Sequence, residues 1–254
     1  MRYFLKLAYN GEPYHGWQRQ PNSTSVQETL EDALKTILRK ETPLTGAGRT
    51  DSGVHAREMF AHFDVDVSIE NKVKFLQSLN RLIGRDITVF DLLEVKEEAH
   101  ARFDATGRTY RYYIATRPDP FFYKFSHVIT TPIDVDKMNI AAHRLLYVDD
   151  FTSFAKLHTD TKTNICDVRE AFWTNEEKSG MLIFTISADR FLRNMVRAVV
   201  GTLIMVGQGK INLKEFDEII KSKNRCNAGN SMPPQALFLE RIDYPESIWM
   251  QRKE

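Results

Sequence analysis

The hydrophobic positions change period along the chain, and each change marks an element. Residues 2–9 alternate as a half-buried strand does. Ser25-Val-Gln-Glu28 has the form of a capping box, in which a hydroxyl and a carboxylate three residues apart satisfy backbone N–H groups at a helix start. It opens a helix with Val26, Leu30, Ala33, Leu34, Ile37 and Leu38 on one face. A glycine-rich stretch interrupts the pattern. Residues 59–65 then read as a strand. Val73, Leu76, Leu79 and Leu82 mark a second helix with Gly84 as its C-terminal cap, and 87–95 read as another strand. This first half is β-α-β-α-β.

The second half begins near Arg108. Residues 109–115 form a strand with Tyr110, Tyr112 and Ile114 on one face and Arg111 and Tyr113 on the other. Residues 117–132 carry three prolines and several aromatics and read as a long loop. A helix is expected over 135–147, strands near 163–174 and 181–188, and a buried helix over 191–206. Asn212-Leu-Lys-Glu215 caps one more helix, and 236–244 form a last strand. Intermingled helices and strands predict an α+β fold with helices covering a sheet. Its expected domains are an N-terminal α/β half, 1–105, and a C-terminal α/β half, 106–254.

Composition narrows the class only in part. The chain has 254 residues, room for one large domain or two small ones. The most apolar run, 195–206, is broken by Arg197 and is shorter than the roughly 20 residues that span a bilayer. Residues 1–9 have no secretory pattern. Cys166 and Cys226 stand far apart without metal-ligand spacing and read as reduced, structural thiols of a cytoplasmic protein. The net charge of +1 mildly disfavours a nucleic-acid binder. Its distribution leaves the question even, because Arg102, Arg108, Arg111 and Arg117 crowd one segment and Arg190, Arg193 and Arg197 another, either as basic patches or as two solvated faces.

Four segments carry unusual residue choices. The stretch 9–20 puts Tyr14, Trp17, Gln18 and Arg19 on a glycine-containing loop. Such groups suit nucleic-acid contact, or Trp17 caps a core edge. Residues 46–56 read Gly-Ala-Gly-Arg-Thr-Asp-Ser-Gly-Val-His-Ala, with Asp51 between Arg49 and His55. Glycine permits a shaped loop holding one carboxylate beside a guanidinium; the plain alternative is a tight turn with a surface ion pair. Arg108-Thr-Tyr-Arg-Tyr-Tyr113 either offers a flat ring to a base or builds core. Asp189-Arg-Phe-Leu-Arg-Asn-Met-Val-Arg197 opens the apolar helix. An arginine there is costly unless paired, which makes Asp51 the candidate partner of Arg197; the alternative is a wet stripe shared with Arg193. His55, His62, His100, His127, His143 and His158 assemble no metal motif, and neither a phosphate-cradling Gly-Lys-Ser/Thr loop nor a Gly-x-Ser-x-Gly elbow is present. Catalysis on this chain is therefore expected to run on one carboxylate without a cofactor.

Taken in order, these blocks resemble the bacterial TruA family of tRNA pseudouridine synthases. Tyr9-x-Gly-x-x-Tyr-x-Gly-Trp-Gln-x-Gln20, Gly48-Arg-Thr-Asp-x-Gly-Val-His-Ala56, Thr109-Tyr-Arg-Tyr112, Asp150-Phe-Thr-Ser-Phe154 and Phe191-Leu-x-x-Met-Val-Arg197 all match, over almost the full length. Ser52, Met59 and Ala236 depart from residues common in the family. The resemblance implies a pseudouridine synthase fold: a mixed, largely antiparallel sheet flanked by helices, in two similar halves around a central cleft. It implies isomerisation of uridine to pseudouridine in the anticodon stem-loop of tRNA, at tRNA positions 38–40, with no metal and no nucleotide cofactor. Asp51 falls on the essential aspartate, acting as nucleophile or as the base that removes a sugar proton. Arg49 falls on the residue that fills the space left by the flipped nucleotide, Tyr110 on the ring against the base, Arg197 on the partner of the aspartate, and Leu237 on an apolar residue bordering the pocket. The implied partners are tRNA and a second copy of the chain in a homodimer, with no membrane. Two rivals remain at this level: a noncatalytic RNA-binding protein on the same scaffold, and a hydrolytic glycosidase or nuclease using Asp51 and His55.

Overall fold

The computed structural model describes residues 1–156, 162–176 and 179–250, so His158 lies outside the described residues. The strands are β1 (Arg2–Tyr9), β2 (Thr45–Gly46), β3 (His55–Asp64), β4 (Ile87–Val95), β5 (Gly107–Ala115), β6 (His127–Val128), β7 (Val168–Glu176), β8 (Met181–Ala188) and β9 (Leu237–Asp243). The helices are α1 (Val26–Leu38), α2 (Lys72–Leu82), α3 (Val135–Arg144), α4 (Met195–Gly207) and α5 (Leu213–Lys221). The chain divides into two compact units, Met1–Thr106 with Leu239–Glu254, and Gly107–Phe238. The stretch from Leu239 on, grouped by the sequence with the second half, thus belongs to the first unit.

In the first unit β1 lies between β3 and β4, antiparallel to both, and β9 follows beside β3. Alternation along β1 sends Tyr3 to one face, where it stacks with Phe63, and Phe63 with Phe75 of α2. Phe4 goes to the other, where Phe60, Tyr244 and Trp249 surround it. The marks of α2 in the sequence do not coincide with its buried face. Val73 and Leu82 are exposed, whereas Phe75 and Leu79, four apart, are buried. Gly84 takes φ +81, the left-handed conformation expected beyond a helix C-terminus. The α1 box is half formed. Ser25 accepts from the Glu28 N–H, while the Glu28 carboxylate turns to Arg19.

In the second unit β8 lies between β5 and β7, antiparallel to both, and β6 adds a short parallel pair to β5 inside the stretch expected to be loop. The Asn212–Glu215 box of α5 is complete in both directions. The α4 helix starts at Met195 rather than near 191, because Asn194 adopts φ +66 and the apolar Phe191 and Leu192 precede it in non-helical backbone. Apart from Arg197 and Met205, the whole of α4 is buried.

The two units protect their outer strands by one device. Asn80 of α2 donates to the carbonyl of Val89 and accepts from its N–H, at 2.8 and 2.7 Å. Asn139 of α3 does the same to Trp173 of β7, at 3.2 and 2.7 Å. Each side-chain amide stands where a neighbouring strand would bond.

Candidate active site

The Asp51 loop is shaped by the segment that leaves β1. The Tyr9 hydroxyl meets Thr50 Oγ1 at 2.9 Å, and the Trp17 N–H donates to the Thr50 carbonyl. The Tyr14 carbonyl accepts from the Gly53 N–H and from the Ser52 hydroxyl. The Val54 N–H closes the turn onto the Asp51 carbonyl at 3.2 Å. Glycine is required at the closest approaches of these two stretches. A Cβ on Gly11 would stand 2.0 Å from the Val54 carbonyl oxygen, and one on Gly16 2.4 Å from that of Thr50. Gly46 lies under the Trp17 indole, and Gly53 takes φ +77. Gly48 differs, since a Cβ there would meet nothing within 4 Å.

The 9–20 segment is therefore scaffold, and its rings are not offered to a ligand. Tyr14 and Trp17 are buried, and Arg19 is held by Glu28 and Glu31. Burial pushes the Tyr14 phenol above its usual range, helped by Asp86 and opposed by a bond to Thr29. Asp51 itself is half-buried. Arg49 is exposed and, among the described residues, makes no hydrogen bond or ion pair. His55 is buried and its Nδ1 accepts from the Gly11 N–H at 3.0 Å. An accepting Nδ1 carries no proton, so the ring is neutral and tied to the scaffold.

The other three expected site residues belong to the second unit. Tyr110 on β5 is half-buried, its ring meeting Phe191 nearly edge to face with centroids 5.1 Å apart. Leu237, at the start of β9, is buried. Arg197 stands in the first turn of α4, where the Nε donates to the Met232 carbonyl at 2.6 Å and its own carbonyl accepts from the Met232 N–H at 3.1 Å. The next carbonyl, Pro233, accepts from the Tyr112 hydroxyl at 2.9 Å. Burial raises the Tyr112 phenol far above its usual range although the Arg197 charge acts in the opposite sense. Tyr112 is thus a core residue that keeps its proton. Ahead of α4, Asp189 orders the backbone. One carboxylate oxygen accepts from the N–H groups of Asp167 and Arg190, and its carbonyl accepts from Arg108.

The sequence reading missed the 229–233 strap that carries Met232 and Pro233. Its turn-rich composition marks it as irregular, but nothing in it says which helix it crosses. The Asp150–Phe154 block is structural. The Asp150 carboxylate binds Thr152 and Lys223, and Ser153 donates to the Ile219 carbonyl, which docks the end of α5. Among the described residues no group of three or more His, Cys, Asp or Glu side chains is placed to hold a metal ion. No helix among them is long and apolar enough to cross a membrane.

The first unit thus holds one half-buried carboxylate on a shaped loop, and the second holds Tyr110 on a strand and Arg197 at the start of a buried helix. The family model described as tRNA pseudouridine synthase matches residues 141–245. A Bacteroides fragilis protein named tRNA pseudouridine synthase A is 54% identical over 248 residues, 98% of each chain. The like-named Porphyromonas gingivalis protein is 49% identical over 250 residues, 98% of this chain and 99% of its own. That of Acetivibrio thermocellus is 36% identical over 242 residues, 94% and 98%. The chain belongs to the TruA family of tRNA pseudouridine synthases.

Proposed function

We propose that this protein isomerises uridine to pseudouridine in the anticodon stem-loop of tRNA, with Asp51 as its catalytic group. The observation that carries the proposal is the half-buried Asp51 on a loop shaped by backbone and hydroxyl contacts, in a chain that matches a tRNA pseudouridine synthase over 98% of its length. A carboxylate held before substrate arrives is what a reaction without cofactor requires. The reaction exchanges the bond from N1 to the sugar C1′ for one from C5 to C1′. C5 loses a hydrogen and N1 gains one, so no oxidant or reductant enters.

In this reading a stem uridine first leaves its stack, at a cost of a few kcal/mol. Arg49, exposed and unengaged among the described residues, occupies the vacated position. Tyr110 stacks on the uracil and Leu237 borders it. Arg197 supplies the positive charge that keeps the acid ionised. The working unit is a cytoplasmic homodimer, and its hold on tRNA weakens with salt through phosphate contacts.

Tritium release from tRNA labelled at uridine C5 tests the proposal. Wild-type protein is expected to release tritium in the presence of EDTA, and Asp51→Ala to release none while binding tRNA nearly as well. Wild-type turnover in Asp51→Ala removes the aspartate from the mechanism. Tight tRNA binding without release by the wild type leaves an RNA-binding protein on this scaffold.

A further inference from the structure

We infer that Arg225 is a positioning residue for Arg197, acting through the 229–233 strap; the inference rests on the role given to Arg197 above. Arg225 follows α5 in a short turn started by Asn224, whose side chain accepts from the Cys226 N–H. Its guanidinium gathers three acceptors. One terminal nitrogen donates to the Ala228 and Gly229 carbonyls at 3.4 and 3.0 Å, and the other to Ser231 Oγ at 2.8 Å. Ser231 Oγ also accepts from Asn194, the residue just before α4. One planar fork thus ties the near end of the strap to the residue that starts the arginine helix.

The strap has no slack against that helix. The Gly229 N–H donates to Thr202 Oγ1 at 2.9 Å. A Cβ on Gly201 would stand 2.0 Å from the Asn230 carbonyl oxygen, and one on Gly229 2.8 Å from the Gly201 carbonyl carbon. Beyond this clamp the Met232 carbonyl takes Arg197 Nε. A guanidinium is planar, so a bond at Nε fixes the direction of both terminal nitrogens. Arg225 touches neither Arg197 nor, in this reading, the substrate. It sets the carbonyl that sets Arg197. A lysine at 225 keeps the charge but lacks the fork that reaches Ser231 and the two carbonyls together.

The test compares full-length wild type with Arg225→Lys, and with Ser231→Ala should the lysine variant not fold. Single-turnover tritium release, tRNA affinity and the Arg197 Nε–H resonance of arginine-labelled protein are measured. The expected result is a loss of rate on the order of tenfold with affinity within about twofold, together with a displaced Nε–H signal that exchanges faster with solvent. An unchanged rate overturns the inference, as does a lost rate with the Nε–H signal unmoved, because Arg225 would then act by another route. A wild type that releases no tritium removes the functional reading and this inference with it. An active wild type beside an unaffected variant removes the inference alone.

Discussion

The two units close their outer strands with the same asparagine device but present their site residues in different ways. The first unit shapes a loop largely from backbone, so the turn around Asp51 is held by carbonyls and N–H groups of 9–17, joined by the Tyr9 and Ser52 hydroxyls, at approaches that glycines allow. The second presents Arg197 from the first turn of a buried helix and fixes its guanidinium with a carbonyl 35 residues further on. An anion placed by backbone keeps its position through most side-chain changes. A cation placed by a strap depends on whatever anchors the strap.

Four predictions break or sharpen this comparison. Arg197→Ala has the largest expected effect. Turnover falls on the order of a hundredfold or more, and stability by about 1–3 kcal/mol because the Met232 carbonyl loses its donor. A variant that melts and reacts as wild type does would detach the arginine from both roles. Acid acts on the first unit. His62 is buried, its Nδ1 accepts from the Ala101 N–H, and its pKa is lowered to about 4 by burial first, then by Arg2 and His100, against Asp64 and Asp104. The unfolded chain binds a proton at higher pH than the folded one does. The stability due to neutral His62 is therefore full above about pH 6.5 and is lost as the pH falls toward 4, roughly 3 kcal/mol at most. Denaturant titrations at pH 7 and 4.5 should show that loss, and His62→Asn should flatten it.

Gly11→Ala comes third, at about 1–3 kcal/mol, since the new Cβ meets backbone that cannot step aside. A melting curve checks it. A neutral result would mean the scaffold yields at its tightest approach. Gly48→Ala is expected to leave stability within about 0.5 kcal/mol. Any loss of turnover in that variant then reports on RNA passing close to the backbone, since the protein itself leaves the space open.

Strands whose apolar pattern ends in clear punctuation were legible to the residue: 2–9, 87–95 and 181–188 match β1, β4 and β8. The start of β3 was hidden, because the glycine loop runs straight into His55 and the loop chemistry masks the first strand residues. The start of α4 was misplaced because Phe191 and Leu192 continue an apolar pattern through backbone that Asn194 turns out of the helix. Asp51 stood out by its glycines. Trp17 stood between a contact residue and a cap on a core edge, since an aromatic on a loop reads as either until its burial is known, and it is buried with Tyr14. The strap was legible only as irregular chain. Its contacts to Arg197 and Tyr112 are made by two carbonyl oxygens, which every residue possesses and no sequence marks.

The paired asparagine clasps make one position on each outer strand depend on a single side-chain amide. Deamidation of Asn80 or Asn139 leaves a carboxylate that still accepts from the strand N–H but faces the strand carbonyl oxygen against oxygen. Each such event unlatches one position on an outer strand, where another chain can then add by backbone pairing. An Asn80→Asp or Asn139→Asp change is thus expected to expose one outer strand to pairing while leaving the core of its unit packed.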